Sequence, residues 1–302
     1  MTFEITMLGT GCMVPTKDRN VQGIYVEHKG EGLLFDCGEG SQRQMNIAGI
    51  NRNKVRKIFI SHWHGDHVSG LIGLLQTISN SENQQKVMIF GPRDTSVRLQ
   101  HLMRAISFEE NRMDLEVVEL NPRGVERFFE NEDYCLECAY MDHKLPCLAY
   151  SLVEKDRLRI NMPKVKKLGL KEGPLVGKLQ RGQIVDFKGR IITPEDVATK
   201  QKGKKLTIVM DTQPCQNAYD LARDADLLVC ESAYAADLEE KAIEYKHMTT
   251  RQAALIATKG NVKRLIITHF SQRYKSVKQL EEEIRTFFPE SECAFDFMRI
   301  KL

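Results

Sequence analysis

Apolar residues in the first part of the chain fall in short runs, FEITML, GIYVEH and GLLFD, separated by glycine-rich turns, and these read as β-strands. KIFIS follows as a buried apolar strand. The period then changes. From Asp66 onward Val68, Leu71, Leu74, Leu75 and Ile78 recur at helical spacing, and VMIF with an amphipathic stretch from Asp94 to Ile106 repeats the strand-then-helix order. A β-rich stretch runs on to Leu152. Further along, LTIVMD, DLLVCES and LIITH read as strands, with AYDLARD and TTRQAALIATKG as helices between them. Two β-rich halves, each carrying helices, predict an α/β fold in which two sheets pack face to face with helices outside, an αβ/βα sandwich. Residues 156–190, rich in Gly, Pro and Lys with little apolar periodicity, read as an insertion protruding from a body that spans 1–302.

Composition adds limits. With 302 residues the chain suits two domains or one large layered domain, and 42% hydrophobic and 28% charged residues are those of an ordinary globular protein, which excludes large-scale disorder. MTFEITMLGTG has no basic stretch before an apolar core, and no apolar run approaches the roughly 20 residues that span a bilayer, so a cytoplasmic protein without a membrane segment is expected. Eight scattered cysteines fit reduced thiols. Cys135 and Cys138 form a CxxC without a second one and in strand context, which suits ordinary half-buried cysteines better than a redox or zinc site.

Charge is uneven. Residues 155–205 hold 15 Lys/Arg against 5 Asp/Glu, a net +10 in a chain of net +3, which leaves −7 for the rest. Such a segment is either a docking place for a polyanion or a solvated loop.

The string ISHWHGDH places three histidines and an aspartate at 62–67, where a strand gives way to a helix. A core has no use for so many polar rings, each needing a partner, whereas strand ends are where α/β proteins build sites. In an extended segment His62 and His64 point to one side and suit one ion; Asp66 and His67, at the helix start, point elsewhere and suit a second. His143, Asp211 and His269 each follow or end a strand and are the best distant candidates, with Asp211 the natural bridge. Histidine and carboxylate without thiolate fit zinc, with manganese or iron as alternatives. Two such ions clamp the attacking and leaving oxygens of a phosphodiester. Asp36, ending LLFD, either orients a ligand imidazole or caps the next helix. His247, left over, is placed to protonate a leaving oxygen if it reaches the site. His28 and His101 fall on polar faces and carry no assignment.

The HxHxDH box, the later His143, Asp211 and His269, Pro15 to Asn20, the DCGEGSQRQ run and ITHFSQRY together resemble ribonuclease Z, the tRNA 3′-processing endonuclease of the metallo-β-lactamase superfamily, over nearly the whole chain. GPLVGKLQRG at 173–182 resembles the Gly-Pro tip of the flexible arm with which that family grips the tRNA elbow. The resemblance implies the metallo-β-lactamase sandwich and two zinc ions per subunit. It places His62, His64 and His143 on one ion, Asp66, His67 and His269 on the other, and Asp211 between them. It further implies that Asp66 assists the attacking water, that His247 protonates the leaving group, and that the enzyme is a homodimer acting on precursor tRNA. In the arm, Lys164, Lys166, Lys167, Lys171, Gly173, Pro174, Gly177 and Lys178 are the expected RNA contacts. Trp63, where an aliphatic residue is common, and Met210, in place of the usual Gly, depart from the pattern without removing a ligand. Two rivals remain: a hydrolase of the same scaffold acting on small phosphodiesters or thioesters, which leaves the arm unexplained, and an RNA-binding protein with structural metals, which the lack of thiolate ligands disfavours.

Overall fold

In the computed structural model, which describes residues 3–81, 85–106, 108 and 113–302, the opening runs become β1 (Glu4–Gly9), β2 (Gly23–His28) and β3 (Glu31–Phe35). These pair antiparallel. β4 (Val55–Phe59), β5 (Val87–Gly91) and β6 (Leu115–Glu119) continue the sheet in parallel, because helices cross between them: α1 (Ser41–Ile47), α2 (Gly65–Val68), α3 (Leu71–Ser79) and α4 (Thr95–Ala105). Then follow β7 (Glu126–Glu130), β8 (Tyr134–Met141) and β9 (Cys147–Glu154).

Chain contacts divide the molecule into two compact units, Met1–Phe129 with Leu136–Leu152 and Lys205–Leu302, and Glu130–Cys135 with Val153–Lys204. The smaller one contains β10 (Arg157–Ile160), α5 (Met162–Lys167), α6 (Pro174–Gln180), β11 (Val185–Phe187), β12 (Arg190–Ile192), α7 (Pro194–Val197) and β13 (Ala198–Gln201), with β10 pairing β13 and β11 pairing β12. Val165, Leu170, Val176, Leu179, Val185, Ile192 and Val197 form its own apolar cluster. Its helices are so short that each offers only a few apolar positions, which is why periodicity in the sequence is weak here.

The larger unit resumes with β14 (Lys205–Val209), α8 (Gln216–Ala222), β15 (Leu227–Glu231), α9 (Glu239–Tyr245), α10 (Thr250–Lys259), β16 (Leu265–Thr268), α11 (Lys278–Phe287), β17 (Ser291–Cys293) and β18 (Arg299–Lys301). The two sheets have seven strands each, in the orders β18-β1-β2-β3-β4-β5-β6 and β17-β16-β15-β14-β9-β8-β7. Between them lies an aromatic layer: Phe35, Phe59 and Phe90 stack across neighbouring strands at 4.5 and 5.4 Å, and Phe59 meets Tyr150 and Phe128 of the other sheet. Alternation then turns Leu34, Ile58 and Ile89 outward onto Leu71, Leu74, Leu75 and Leu99 of the helices. On the other side Leu228, Cys230, Leu265 and Ile267 meet Leu221, Ile256, Leu280 and Ile284. Each such fully buried aliphatic side chain contributes roughly 1.5–3 kcal/mol. The expected sandwich is what forms.

Three expectations change. The helical spacing from Val68 to Ile78 is split into α2 and α3 at Gly70, where a Cβ would lie 2.1 Å from the Gly38 carbonyl oxygen. His28 is buried against Phe3, with ring centroids 4.8 Å apart, not on a polar face; His101 is exposed as expected. Cys135 and Cys138 are buried outright, and three residues apart on a strand they point to opposite faces, so they cannot chelate one ion together. The eight cysteines form no disulfide with one another, and burial pushes the Cys138 thiol up to about 12. No helix among the described residues is long and apolar enough to cross a membrane.

Candidate metal centre

Every polar residue singled out near a strand end arrives at one rim of the sandwich. His62 follows β4, His143 follows β8, Asp211 follows β14, His269 follows β16 and Asp36 follows β3. Two bonds between the sheets hold that rim: the Tyr150 hydroxyl donates to the Ile60 carbonyl at 2.7 Å, and the Leu148 amide donates to the Ser61 carbonyl at 2.9 Å. Trp63 points away from its histidine neighbours, donates from its indole nitrogen to Thr95 Oγ1 at 3.0 Å and packs on the helix-covered core, fixing His62 and His64 on the opposite side.

Ligand atoms gather in two groups that share Asp211. On one side His64 Nδ1 lies 2.8 Å from His62 Nε2 and 3.4 Å from His143 Nε2; Asp211 Oδ2 is 3.6 and 3.9 Å from the latter two nitrogens. On the other, His67 Nε2 and His269 Nε2 are 3.5 and 3.4 Å from Asp66 Oδ2, and 3.4 and 3.3 Å from Asp211 Oδ1. Ligands held tetrahedrally at zinc bond lengths are separated by roughly 3.3–3.4 Å, so the second group has the spacing of a tetrahedron's edges. His67 Nε2, His269 Nε2 and Asp211 Oδ1 are buried with no hydrogen-bond partner, a costly state that a cation at their centre would relieve. The residues therefore fit a pair of divalent ions.

Electrostatics agree. Burial and neighbouring imidazoles push His62 down, and burial likewise lowers His64 and His143, leaving lone pairs for ligation. Burial would lower His67 and His269 too, but the Asp211 carboxylate, joined by Asp36 at His67 and Asp66 at His269, pulls both well above the usual histidine range. Despite its burial, Asp66 is held far below the usual carboxylate range by the His269 and His67 imidazoles beside it. This half of the centre is built around positive charge.

The surrounding groups orient the ligands. Asp36 Oδ2 lies 2.7 Å from His67 Nδ1 and accepts the Ser61 hydroxyl at 2.8 Å, while Oδ1 accepts the Ser61 amide; it does not cap α1, whose N-cap is Gly40. With its proton on Nδ1, His67 presents Nε2 to the centre. His143 Nδ1 faces the Lys246 carbonyl at 3.0 Å, which leaves its Nε2 free in the same way. Lys246 Nζ in turn pairs with Asp142 at 3.0 Å, tying the loop before His247 to the loop of His143. Met13, Asp36 and His269 all have left-handed backbones, at φ 64°, 56° and 63°. Left-handed non-glycine backbone is strained, and here it aims the Met13 amide at Asp66 Oδ2, 2.7 Å away.

Glu231 was not anticipated. Fully buried at the end of β15, it lies 3.0 Å from His247 Nδ1 and accepts the amides of Thr212, Met248 and Ala233. Its strand-end position was the available signal. Against burial, Glu231 and then Asp211 raise His247 to about 9. His247 Nδ1 is 3.9 Å from Asp211 Oδ2, so it does reach the centre. A cavity of about 500 Å³, lined by Cys12, Met13, Asp66, Lys144, Tyr245 and His247 among others, opens over these groups.

Asp66 is seated by glycine contacts. A Cβ on Gly38 would lie 2.2 Å from the Asp66 carbonyl oxygen. Gly38→Ala is thus expected to displace the Asp66 turn and cost about 1–3 kcal/mol by overpacking, read as a lower Tm together with reduced bound metal. Unchanged values of both would refute the seating role.

In the smaller unit Lys164, Lys166, Lys167, Lys171 and Lys178 are all exposed, and among the described residues none of them pairs with a carboxylate. Gly173 and Pro174 begin α6, with Pro174 at its first position, and Gly177 lies within that helix.

Residues 3–161 match the sequence family described as Anti-Pycsar protein Apyc1, a span that includes His62 to His143 but ends before Asp211. Ribonuclease Z of Methanothermobacter thermautotrophicus is 41% identical over 301 residues, covering 99% of this chain and 97% of that one. Among solved structures, the short form of human tRNase Z aligns with a TM-score of 0.72 at 27% identity over 98% of both chains. The Bacillus subtilis metallo-β-lactamase fold protein YhfI aligns with a TM-score of 0.71 at 16% identity over 100% of both, a likeness of fold.

Proposed function

The chain belongs to the ribonuclease Z family, its residues 3–161 also to the Apyc1 sequence family, and from that membership and the metal-centre geometry we propose that it is an endoribonuclease removing the 3′ trailer from precursor tRNA. The observation that carries the chemistry is the position of Asp211, whose two carboxylate oxygens face different ligand groups. His62, His64 and His143 would hold one zinc and Asp66, His67 and His269 the other, with Asp211 shared. Bound there, the two ions supply Lewis acidity and water of lowered pKa.

The chain's own groups do the rest. Asp66, pinned by the Met13 amide, is placed to take a proton from the attacking water. His247, braced by Glu231, donates a proton to the departing 3′ oxygen, leaving a 3′-hydroxyl on the tRNA and a 5′-phosphate on the trailer. Because water is the nucleophile, a 2′-deoxy nucleotide at the cut should still be cleaved. Residues 156–190 serve as the arm that holds the tRNA, the enzyme works as a cytoplasmic homodimer, and manganese or iron are alternatives to zinc.

Glu231→Gln keeps the shape but removes the charge that braces His247; turnover is expected to fall roughly 10²-fold with zinc content unchanged, since general acid catalysis is worth about that. Equal turnover in the variant would refute His247 as the proton donor held by Glu231. The whole reading is tested by incubating the protein with a 3′-extended precursor tRNA, with and without chelator, and mapping the cut and its end groups. Metal-dependent cleavage elsewhere, or hydrolysis only of small phosphodiesters or thioesters, would favour the other hydrolase reading.

A further inference from the structure

A groove of about 370 Å³ lies beside the catalytic cavity and shares two of its residues, His143 and Lys144. It continues past Tyr140 to Arg93 and Asn121. None of its lining residues is a carboxylate, and neither Arg93 nor Lys144 forms an ion pair among the described residues. Asp142, next to His143 in the chain, pairs with Lys246, and Glu119 accepts the amides of Asp94 and Ser96 at the start of α4. Tyr140 is half-buried and its hydroxyl donates to the Leu120 carbonyl at 3.1 Å, so its ring is a fixed wall. In the adjoining catalytic cavity, which it lines, Tyr245 is 47% exposed, with Lys144 Nζ 5.3 Å from its ring centroid. Cations and aromatic rings thus alternate along a path leading out of the metal centre, the arrangement with which proteins hold single-stranded nucleic acid.

We propose that this groove is a subsite for the unpaired trailer, in which Arg93 and Lys144 track its phosphates and Tyr140 and Tyr245 offer ring faces to its bases. The inference rests on the ribonuclease reading above. A single strand leaving the cut bond enters it directly through the shared residues His143 and Lys144.

The test compares kcat/KM on two precursor tRNAs identical except for the trailer, a single nucleotide in one and a long unpaired oligonucleotide in the other. The intact enzyme should prefer the long trailer by roughly tenfold to a hundredfold, the worth of one or two stacking or phosphate contacts. In Arg93→Ala/Lys144→Ala that preference should collapse towards unity, and in Arg93→Lys most of it should survive, because charge rather than shape is retained. Tm reports whether the double variant stays folded; both residues are exposed. No preference in the intact enzyme, or equal loss on both substrates, overturns the subsite. Failure of the intact enzyme to cut either precursor overturns the ribonuclease reading instead.

Discussion

Asp211→Ala is expected to empty both halves of the metal centre and to lower precursor cleavage by roughly a thousandfold or more, the scale on which several kcal/mol of lost charge stabilisation acts. The reason is geometric. Oδ2 faces His62 and His143, and Oδ1 faces His67 and His269. Removing the carboxylate leaves three imidazoles on one side and two with one acid on the other, too few charges to hold a pair of dications. Bound metal per chain, measured by elemental analysis, should drop far more than in His64→Ala, which touches one half only. If Asp211→Ala retained as much metal as His64→Ala, the shared role of this residue would be refuted.

Neutralising Lys164, Lys166, Lys167, Lys171 and Lys178 together should weaken precursor tRNA binding by about 10²–10³-fold at physiological salt, because lysines that meet phosphates act through counterion release. The dependence of log affinity on log salt should become shallower by up to roughly 4, in proportion to the cations removed. Cleavage of a small phosphodiester reports on the metal centre and is expected to stay near its original rate. The five ammonium groups are exposed and pair with no carboxylate among the described residues, while the apolar cluster of the same unit, including Val165, Leu170 and Leu179, is left intact. Equal losses on both substrates would instead indicate a folding defect.

How much of this was legible beforehand depended on distance along the chain. His62, His64, Asp66 and His67 sit within six residues, and the sequence shows them crowded where a strand ends. His143, Asp211 and His269 stood out because each follows an apolar run, and the structure gathers all of them within ligand reach. Glu231 followed the same rule and was passed over, since nothing local marks a buried acid whose partner lies 16 residues on. Gly70 likewise interrupts a uniform helical spacing for the sake of Gly38, a contact no periodicity encodes.

By itself, then, the sequence determined the sandwich, the candidate ligand types and the concentration of positive charge in one segment, because apolar period, residue chemistry and charge are properties of near neighbours. The tertiary structure alone decided which Asp211 oxygen faces which histidines, that Lys246 and Glu231 brace His143 and His247, and that Arg93 and Lys144 border one groove. Those arrangements arise when the two sheets close on each other and bring together residues up to about 150 positions apart, a juxtaposition set by the packing of the whole core and by no local pattern.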